Sequence, residues 1–378
     1  MRSVDLRQAV GGRGIAVVDG SRGLLTRWFL DGLSAALTSR GYPVQHERGR
    51  DASIDPDVRV VIHAIDPEHP VSFRRRSKEI FVVGVAELSD RPDDMLAAGY
   101  ALLVRSLSNV FVPISRDASG PEAYFITMEQ GFHRIVHDGG DAAFFDDLVE
   151  RILPLANSRL VIDNEFVPDL PRRLWNGDKH TEALFRAGQR LAELDLLPAP
   201  WPIDELLSPA DIRHVQRLFG IGGLSYGNAS ARHAGDTFWM SASGVDKSHL
   251  REVGREVLLV TGYDQRLGVI RLSVPAGVKP RRVSVDAIEH LTIYREHPEV
   301  GAILHVHGWV PGATSTEAVY PCGTEELAME VAGLVRDAPN PGRAVIGMKN
   351  HGVTITGPNL DEILERVGPH IVRTVPMS

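Results

Sequence analysis

The first 165 residues alternate short apolar runs with stretches in which apolar residues recur at helical spacing. The run "GIAVVDG" (14–20) predicts a strand, and "LLTRWFLDGLSAALTSR" after it predicts an amphipathic helix. Further strands are predicted at "YPVQH", "VRVVIHAI", "EIFVVGV", "NVFVPI", "AYFITM" and "RLVID", and a further helix at "AAFFDDLVERILPLA". Continuous apolar strands between amphipathic helices favour a parallel sheet that is covered by helices on both faces.

Such a Rossmann-like α/β layer raises the question of a dinucleotide site. The turn Gly20-Ser21-Arg22-Gly23 leads into a helix, where a phosphate would lie on the helix N-terminus. The G-x-G-x-x-G spacing is absent, however, and the glycines of "VGGRG" precede the strand. This half loosely resembles short-chain dehydrogenases, but their Tyr-x-x-x-Lys pair occurs nowhere in the sequence. The sequence therefore disfavours NAD(P) binding and favours a role in packing or oligomerisation.

Two irregular stretches that contain several prolines interrupt the rest of the chain. Residues 163–180, "DNEFVPDLPRRLWNGDKH", lack periodicity and predict a linker, which we place at 166–180. The linker separates a first domain at 1–165 from a second at 181–378. Residues 196–211, "LLPAPWPIDELLSPAD", predict a surface segment within the second domain.

The composition limits the classes of protein to which this chain can belong. The 378 residues are 43% hydrophobic and 24% charged, which is typical of a globular chain with room for two cores. A net charge of −8 disfavours a nucleic-acid or anionic-membrane partner. Cys322 is the single cysteine, so no internal disulfide can form, and the N-terminus lacks the apolar core of a signal peptide. No apolar run approaches the roughly 18 residues of a membrane span, so we expect a cytoplasmic protein.

The run "AILHVHGWV" (302–310) carries the first candidate for chemistry. On a strand, alternate side chains share a face, so His305 and His307 would point the same way and Val306 the opposite way. Two imidazoles on one face supply half of a metal site. With fifteen histidines in the chain, such a pair also arises by chance, and the alternative is a pair of hydrogen-bonded core histidines.

From residue 181 onward, several stretches together resemble the class II aldolase/adducin family. They are "GGLSYGNASAR" (222–232), "SASGVDKS" (241–248), "RVSVDAIEHLTIYREHPEVGAILHVH" (282–307), "PCGTEELAMEVAGLVR" (321–336) and "AVIGMKNHGVTITG" (344–357). The resemblance implies an α/β/α layered domain around a mostly antiparallel sheet. It also implies a homo-oligomer, usually a tetramer.

The resemblance implies a divalent metal on three histidines. These are His305, His307 and His351, the last in the turn Asn350-His351-Gly352. Zinc is the usual metal of the family, and Mn²⁺, Co²⁺ or Fe²⁺ are the alternatives. Three imidazoles with open positions are typical of a catalytic site, whereas structural zinc sites have four protein ligands. We expect His233, His290, His297 and His370 to be surface residues or neighbours of the ligands, with His290 on the same helix face as Asp286.

Asp286 occupies the acid–base position of the family, where aldolases have glutamate and the epimerase has aspartate. It begins the predicted helix "DAIEHLTIYREH", so its alternative role is that of an ordinary first-turn residue favoured by the helix dipole. A carboxylate close to a metal can accept and return a proton at the reacting carbon, or bind the metal as a fourth ligand. Aspartate is one methylene shorter than glutamate, which weakens the case for aldol cleavage relative to epimerase-like chemistry.

The family holds a substrate phosphate with backbone and small polar groups, and the matching positions here are Gly227, Asn228, Ser243, Gly244 and Ser284. Two departures weaken this pocket. Val285 replaces the second serine before the carboxylate, and Ser241 replaces a lysine of the epimerase. Lys247 either supplies a charge or is solvated. A carboxylate substrate, or one with no anionic group, therefore stays open.

A third departure concerns the aldolase tyrosine that reaches into a neighbouring subunit. The family places a longer segment between the His-x-His strand and the region of Tyr320, where this chain has only "GWVPGATSTEAV". That tyrosine has no assigned counterpart, and Tyr320 and Tyr226 are the candidates.

The sequence predicts a metal-dependent lyase that acts on a small hydroxy-carbonyl substrate, with aldol cleavage as the first hypothesis. Epimerisation, decarboxylation and dehydration use the same metal-stabilised enediolate and stay open. Two other functional classes stay open. One is an adducin-like binding module, which is disfavoured because all three histidines are retained. The other is an oxidoreductase whose activity would reside in the first half of the chain.

Overall fold

A computed structural model describes residues 14–20, 23–49, 52–88, 91–117, 120–128, 131–194 and 227–373, together with residues 209, 213 and 375. Residues 14–157 belong to a first compact unit, and residues 158–194 and 227–375 to a second. Of the predicted features, Ser21, Arg22, Tyr226 and most of 196–211 lie outside the described residues.

The first unit contains a seven-stranded sheet. Its strands are β1 (Gly14–Asp19), β2 (Val44–Arg48), β3 (Val58–Ala64), β4 (Phe81–Glu87), β5 (Val110–Asp117), β6 (Gly120–Thr127) and β7 (Phe132–Val136). Within residues 14–157, the described helices are α1 (Leu24–Ser39), α2 (Met95–Ser106) and α3 (Asp141–Asn157). The order in the sheet is β2-β1-β3-β4-β5-β6-β7. The strands from β2 to β5 pair in parallel, as a doubly wound α/β layer requires.

The predicted parallel sheet is correct for five strands and wrong for the last two. β6 pairs antiparallel with β5 and with β7, and only two residues separate β5 from β6 and only four separate β6 from β7. A parallel pair needs a crossover of a dozen or more residues, for which these connections leave no room.

The second unit contains a nine-stranded sheet. Its strands are β8 (Asp163–Val167), β9 (Gly227–Ala234), β10 (Thr237–Ser241), β11 (Val257–Asp264), β12 (Val269–Ser273), β13 (Ala302–Val306), β14 (Thr314–Ser315), β15 (Val345–Met348) and β16 (Gly352–Gly357). Its described helices are α4 (Lys179–Glu193), α5 (Ala287–Glu296), α6 (Glu325–Asp337) and α7 (Leu360–Val367), with 3-10 turns at Arg172–Leu174, Lys247–His249, Pro341–Arg343 and Gly368–His370.

The strand order is β14-β15-β16-β13-β9-β10-β11-β12-β8. The six pairings between β15 and β12 are antiparallel, and only the two edge pairings, β14–β15 and β12–β8, are parallel. The mixed α/β fold with a mostly antiparallel second sheet is therefore confirmed within the described residues.

Helices cover both faces of this second sheet, and β13 shows how the faces divide. Ala302, Leu304 and Val306 pack into one apolar cluster with residues of α4 and α7. Ile303 packs into the other cluster with residues of α5 and α6. Because side chains alternate along a strand, His305 shares the face of Ile303 and lies under α5 and α6.

In this part of the chain, the first unit ends at residue 157 and the second begins at residue 158. The predicted strand "RLVID" is wrong in position: the strand is Asp163–Val167, and Leu160 only forms an isolated bridge with Thr324. β8 pairs with β12, so the predicted domain boundary at residue 165 lies inside a strand of the second sheet. β8 is short, mostly polar and at a sheet edge, so it lacks the apolar run from which a strand is predicted.

None of the described helices is both long enough and apolar enough to span a membrane.

Candidate functional site

His305 lies in the middle of the second sheet. On β13 it pairs with Thr354 of β16 on one side and with Asn228 of β9 on the other. The side chain is completely buried on the face covered by α5 and α6. His307 follows β13 directly and is half-buried, so the pair runs from the interior towards solvent.

A tight turn between β15 and β16 brings the third imidazole to the same place. Asn350 has a left-handed backbone with φ of 68°, and the amide of His351 donates to the carbonyl oxygen of Met348 over 3.0 Å. Gly352 follows with φ of 150° and begins β16. This turn places His351, which is 6% exposed, over the end of β13.

The three predicted metal-binding histidines form one cluster. The ring centroids are 5.1 Å apart for His305 and His307, 4.7 Å for His305 and His351, and 5.1 Å for His307 and His351. One nitrogen from each ring lies within 4.8 Å of the other two. Three imidazoles around one point are a donor set that suits zinc and other first-row divalent metals.

The hydrogen bonds of His305 test whether this cluster fits a metal. Its Nδ1 donates to the carbonyl oxygen of Val353 over 3.1 Å, which leaves the lone pair on Nε2. Nε2 is buried and has no hydrogen-bond partner among the described residues. Burial also lowers the pKa of His305, so the imidazole is neutral at neutral pH and able to bind a cation. The residues therefore fit the implied metal.

Asp286 lies beside this cluster and is 4% exposed. It precedes α5, but its side chain makes no capping hydrogen bond, which argues against the role of an ordinary first-turn residue. Its Oδ2 instead accepts a hydrogen bond from Nδ2 of Asn228 over 2.6 Å, and its Oδ1 has no partner within the described part of the chain. Burial raises the pKa of Asp286, but His305, His351, His290 and the amide of Asn228 outweigh it, so the net shift is downward.

The predicted phosphate-binding residues fall in two places. Gly227 and Asn228 begin β9 beside His305, where Asn228 holds Asp286, a contact that the sequence did not predict. Ser243, Gly244 and Ser284 lie in two neighbouring loops that Ala242 and Val283 join by a β-bridge. The amide of Ser243 donates to the carbonyl oxygen of Arg282. Whether these groups bind phosphate stays a prediction.

Residues 212–316 match the family model of the class II aldolase and adducin N-terminal domain. The second unit contains a class II aldolase domain. The match includes His305, His307 and Asp286 but ends before His351, which the turn between β15 and β16 brings to the same cluster.

Solved structures of similar proteins include an L-fuculose 1-phosphate aldolase. It is 18% identical, covers 51% of this chain and 84% of its own, and has a TM-score of 0.35. YgbL from Klebsiella pneumoniae is 16% identical with coverage of 50% and 84% and a TM-score of 0.34. YgbL from Escherichia coli is 15% identical with coverage of 50% and 83% and a TM-score of 0.33. No curated protein matches the sequence.

The aldolase domain contains a buried cation that the sequence left ambiguous. Lys247 is 3% exposed, so it is not a solvated surface residue. Burial lowers its pKa to about 8, against the opposing effect of Asp286 and Asp246. Lys247 therefore supplies a positive charge near Asp286 and His305 at neutral pH.

Cys322 is a further residue that the sequence analysis did not place in the site. Its Sγ, one nitrogen of His351 and one carboxylate oxygen of Asp286 lie within 4.8 Å of one another. A single cysteine forms no spacing pattern, so the sequence contained no motif that would place Cys322 in the site. Tyr320, the described candidate for the family's tyrosine, is half-buried and packs against the apolar cluster under α5 and α6.

A polar layer between α5 and the sheet supports the site. Ser230 on β9 lies 2.7 Å from Nδ1 of His290 and 2.8 Å from the hydroxyl of Tyr294. Burial lowers the pKa of His290 to about 4, so this imidazole stays neutral. On β16, Thr354 donates to Oε1 of Glu289 over 2.6 Å. That His290 shares a helix face with Asp286 stays a prediction, and the two groups interact electrostatically. Glu289 was missed because acidic residues are common in a first helical turn.

Glu289 predicts a pH-dependent stability. Burial, and after it Asp286, raises its pKa from 4.5 to about 8, although the Thr354 bond opposes this. The folded state then binds more protons than the unfolded state between about pH 4.5 and pH 8, so stability falls as pH rises through that window. Glu289→Gln keeps the shape and removes this titration. Relative to the variant, we expect the wild type to lose at least about 1 kcal/mol of unfolding free energy across the window.

Urea unfolding of both proteins at several pH values checks this expectation. A difference between wild type and Glu289→Gln that stays constant with pH would show that Glu289 titrates normally.

Gly352 predicts a large loss of stability. A Cβ atom at this position would lie 2.1 Å from the carbonyl oxygen of Val306, and φ of 150° is unfavourable for an L-residue. The obstacle is backbone, so Gly352→Ala must push β16 away from β13. We expect a loss of about 2–4 kcal/mol in unfolding free energy. Gly235→Ala is the control, because its φ of 54° is also positive but its Cβ meets nothing within 4 Å.

Denaturant unfolding compares the two variants. We expect Gly235→Ala to cost only about 1 kcal/mol, the strain of the left-handed backbone. Equal stability of the two variants would mean that the close approach of β16 to β13 is absent.

Proposed function

We propose that the aldolase domain is a metal-dependent lyase that acts on a small hydroxy-carbonyl substrate, with aldol cleavage as its reaction. One observation carries this proposal: His305, His307 and His351 converge on one point, and Nε2 of His305 is buried there without a hydrogen-bond partner in the described structure. An unpaired buried polar atom costs about 1–3 kcal/mol, and an ion bound at this nitrogen would offset that cost.

His305, His307 and His351 would hold the metal, most simply Zn²⁺, with Mn²⁺, Co²⁺ and Fe²⁺ as alternatives for the same donors. When bound, the ion polarises the carbonyl of the substrate as a Lewis acid. His307 lies on the half-buried side of the cluster, so we expect the substrate to enter past it. The Val353 carbonyl fixes the ring of His305 and keeps its Nε2 aimed at the cluster.

Asp286 is the group that we propose to move the proton. Its Oδ1 has no partner among the described groups and lies in the buried layer beside the histidines, while Asn228 holds Oδ2 in place. The lowered pKa keeps the carboxylate ionised at neutral pH, so it can accept a proton from the substrate hydroxyl and return it to the product. A proton acceptor fixed on one side by an amide requires little reorganisation during the reaction.

The substrate class follows from the surrounding groups. Lys247 is a buried cation near Asp286, and Ser243, Gly244 and Ser284 offer hydroxyl and backbone N–H donors in adjacent loops. Together they favour a substrate with one anionic group, such as a sugar phosphate or a hydroxy acid. We also propose that the chain forms a homo-oligomer, in which the first unit contributes packing surface.

The test is an assay of the purified full-length protein on a panel of phosphorylated and carboxylated hydroxy-carbonyl compounds, with product analysis. We expect cleavage into two carbonyl fragments, loss of activity with a chelator, and recovery on adding Zn²⁺. An epimer, CO2 or a dehydrated product would keep the metal mechanism and replace aldol cleavage. Failure of the chelator to affect any turnover, or turnover of no compound by fully metallated protein, would contradict the proposal and favour a binding module.

A further inference from the structure

A second group of metal-binding side chains lies on the other face of the second sheet. Asp178 is the N-cap of α4, His180 lies in the first turn of that helix, and His233 lies near the end of β9. The ring of His233 lies edge-on to that of Trp239, which packs in the apolar cluster that contains residues of α4. The sheet therefore separates this group from His305.

The three side chains are close enough to share one ion. One carboxylate oxygen of Asp178 and one nitrogen each of His180 and His233 lie within 4.8 Å of one another. Ligands on a single zinc ion are about 3.3–3.6 Å apart, so small side-chain rotations suffice. Nδ1 of His233 lies 3.0 Å from Oδ2 of Asp178, yet this buried nitrogen makes no hydrogen bond within the described residues.

The carboxylate of Asp178 is held in a fixed orientation. Its Oδ1 accepts the backbone N–H groups of His180 and Thr181 over 2.8 and 3.2 Å. Its Oδ2 accepts the indole N–H of Trp239 over 3.1 Å. Hydrogen bonds of this kind orient the ligands of metal sites and lower the cost of binding.

All three side chains are partly open to solvent. About a fifth of the side chains of Asp178 and His233 is exposed, so an ion can reach them from solvent.

We propose that Asp178, His180 and His233 form a second metal site, which binds a divalent transition metal such as Zn²⁺. Two imidazoles and one carboxylate are a donor set for zinc and for its first-row neighbours. An ion here would connect the N-terminus of α4 to β9 and so stabilise the helix against the sheet. The proposal does not rest on the function assigned to His305, His307 and His351.

The chain offers a matched comparison at Asp246 and His249. These residues are also 3.0 Å apart, from Oδ2 to Nδ1, but Nδ1 of His249 also hydrogen-bonds Ser248 and no third ligand joins them among the described residues. A histidine–aspartate contact alone therefore does not make a metal site. The third donor, His180, distinguishes the proposed site.

Zinc binding to full-length protein, followed by competition with a chromophoric chelator, tests the proposal. We expect two equivalents for the wild type, one for His305→Ala/His351→Ala and one for Asp178→Asn/His233→Gln. Asparagine is a good N-cap, so the latter variant should keep α4 intact. The control Asp246→Asn/His249→Gln should bind two equivalents. Zinc should also raise the Tm of His305→Ala/His351→Ala, and this rise should disappear when Asp178→Asn/His233→Gln is added.

A count that Asp178→Asn/His233→Gln does not reduce would overturn the second site and leave the first untouched. Loss of all bound zinc in His305→Ala/His351→Ala would also overturn the second site and leave the first untouched. If His305→Ala/His351→Ala fails to fold, the comparison of wild type with Asp178→Asn/His233→Gln decides alone. Loss of one equivalent in Asp178→Asn/His233→Gln but none in His305→Ala/His351→Ala would support this site and contradict the proposed catalytic metal.

Discussion

Replacing His305 by alanine is expected to lower the metal affinity of the aldolase domain at least about 100-fold, because even residues that only orient a ligand contribute 10–100-fold. His305 is the fully buried member of the cluster, and its Nε2 is committed to no other group in the described structure. We expect turnover to fall in parallel with metal content. Metal analysis of dialysed protein and the activity assay measure the two losses.

His297 provides the control for general damage from removing a buried histidine. It is 6% exposed and lies at the end of α5, outside the cluster. His297→Ala should keep the metal and the activity, whatever it costs in stability. Full metal content in His305→Ala would show that the ring does not bind the ion.

Asp286→Asn is expected to lower kcat by about 10²–10⁴-fold while the metal is retained, which is the usual contribution of a positioned acid–base group. The substitution keeps the shape of the side chain and its position beside Asn228, so the fold should be preserved. What is lost is the negative charge that accepts the proton. Steady-state kinetics with parallel metal analysis separates this effect from a loss of the ion.

Asp246→Asn is the matched control, because Asp246 is an exposed aspartate that also interacts with Lys247. It should leave kcat within a factor of a few. Near wild-type kcat in Asp286→Asn would assign proton transfer to another group, and Lys247 would be the first to examine. Loss of the metal in Asp286→Asn would make Asp286 a ligand instead.

The alternation of side chains along β13 made the core of the site predictable. His305 and His307 had to share a face once their run formed a strand, and the apolar run on either side gave that strand. His351 could be added only through the family resemblance. Its position depends on the left-handed backbone of Asn350 and on the pairing of β16 with β13, neither of which local sequence determines.

Contacts between distant segments account for what the sequence did not reveal. Asn228 and Asp286 are far apart in the chain, so their hydrogen bond appears only when β9 and α5 pack together. The burial of Lys247 arises in the same way, since a lysine in a polar run is normally solvated. His233 was expected to be a surface residue or a neighbour of the ligands, and only the fold places it beside Asp178 and His180.

The central claim is that His305, His307 and His351 bind one ion, and anomalous diffraction from zinc-reconstituted crystals tests it most directly. The predicted result is an anomalous peak about 2.0–2.1 Å from one nitrogen of each of the three rings. Well-ordered imidazoles with no peak between them, in crystals whose zinc content is verified, would contradict the claim and leave the three histidines as a polar cluster of the core.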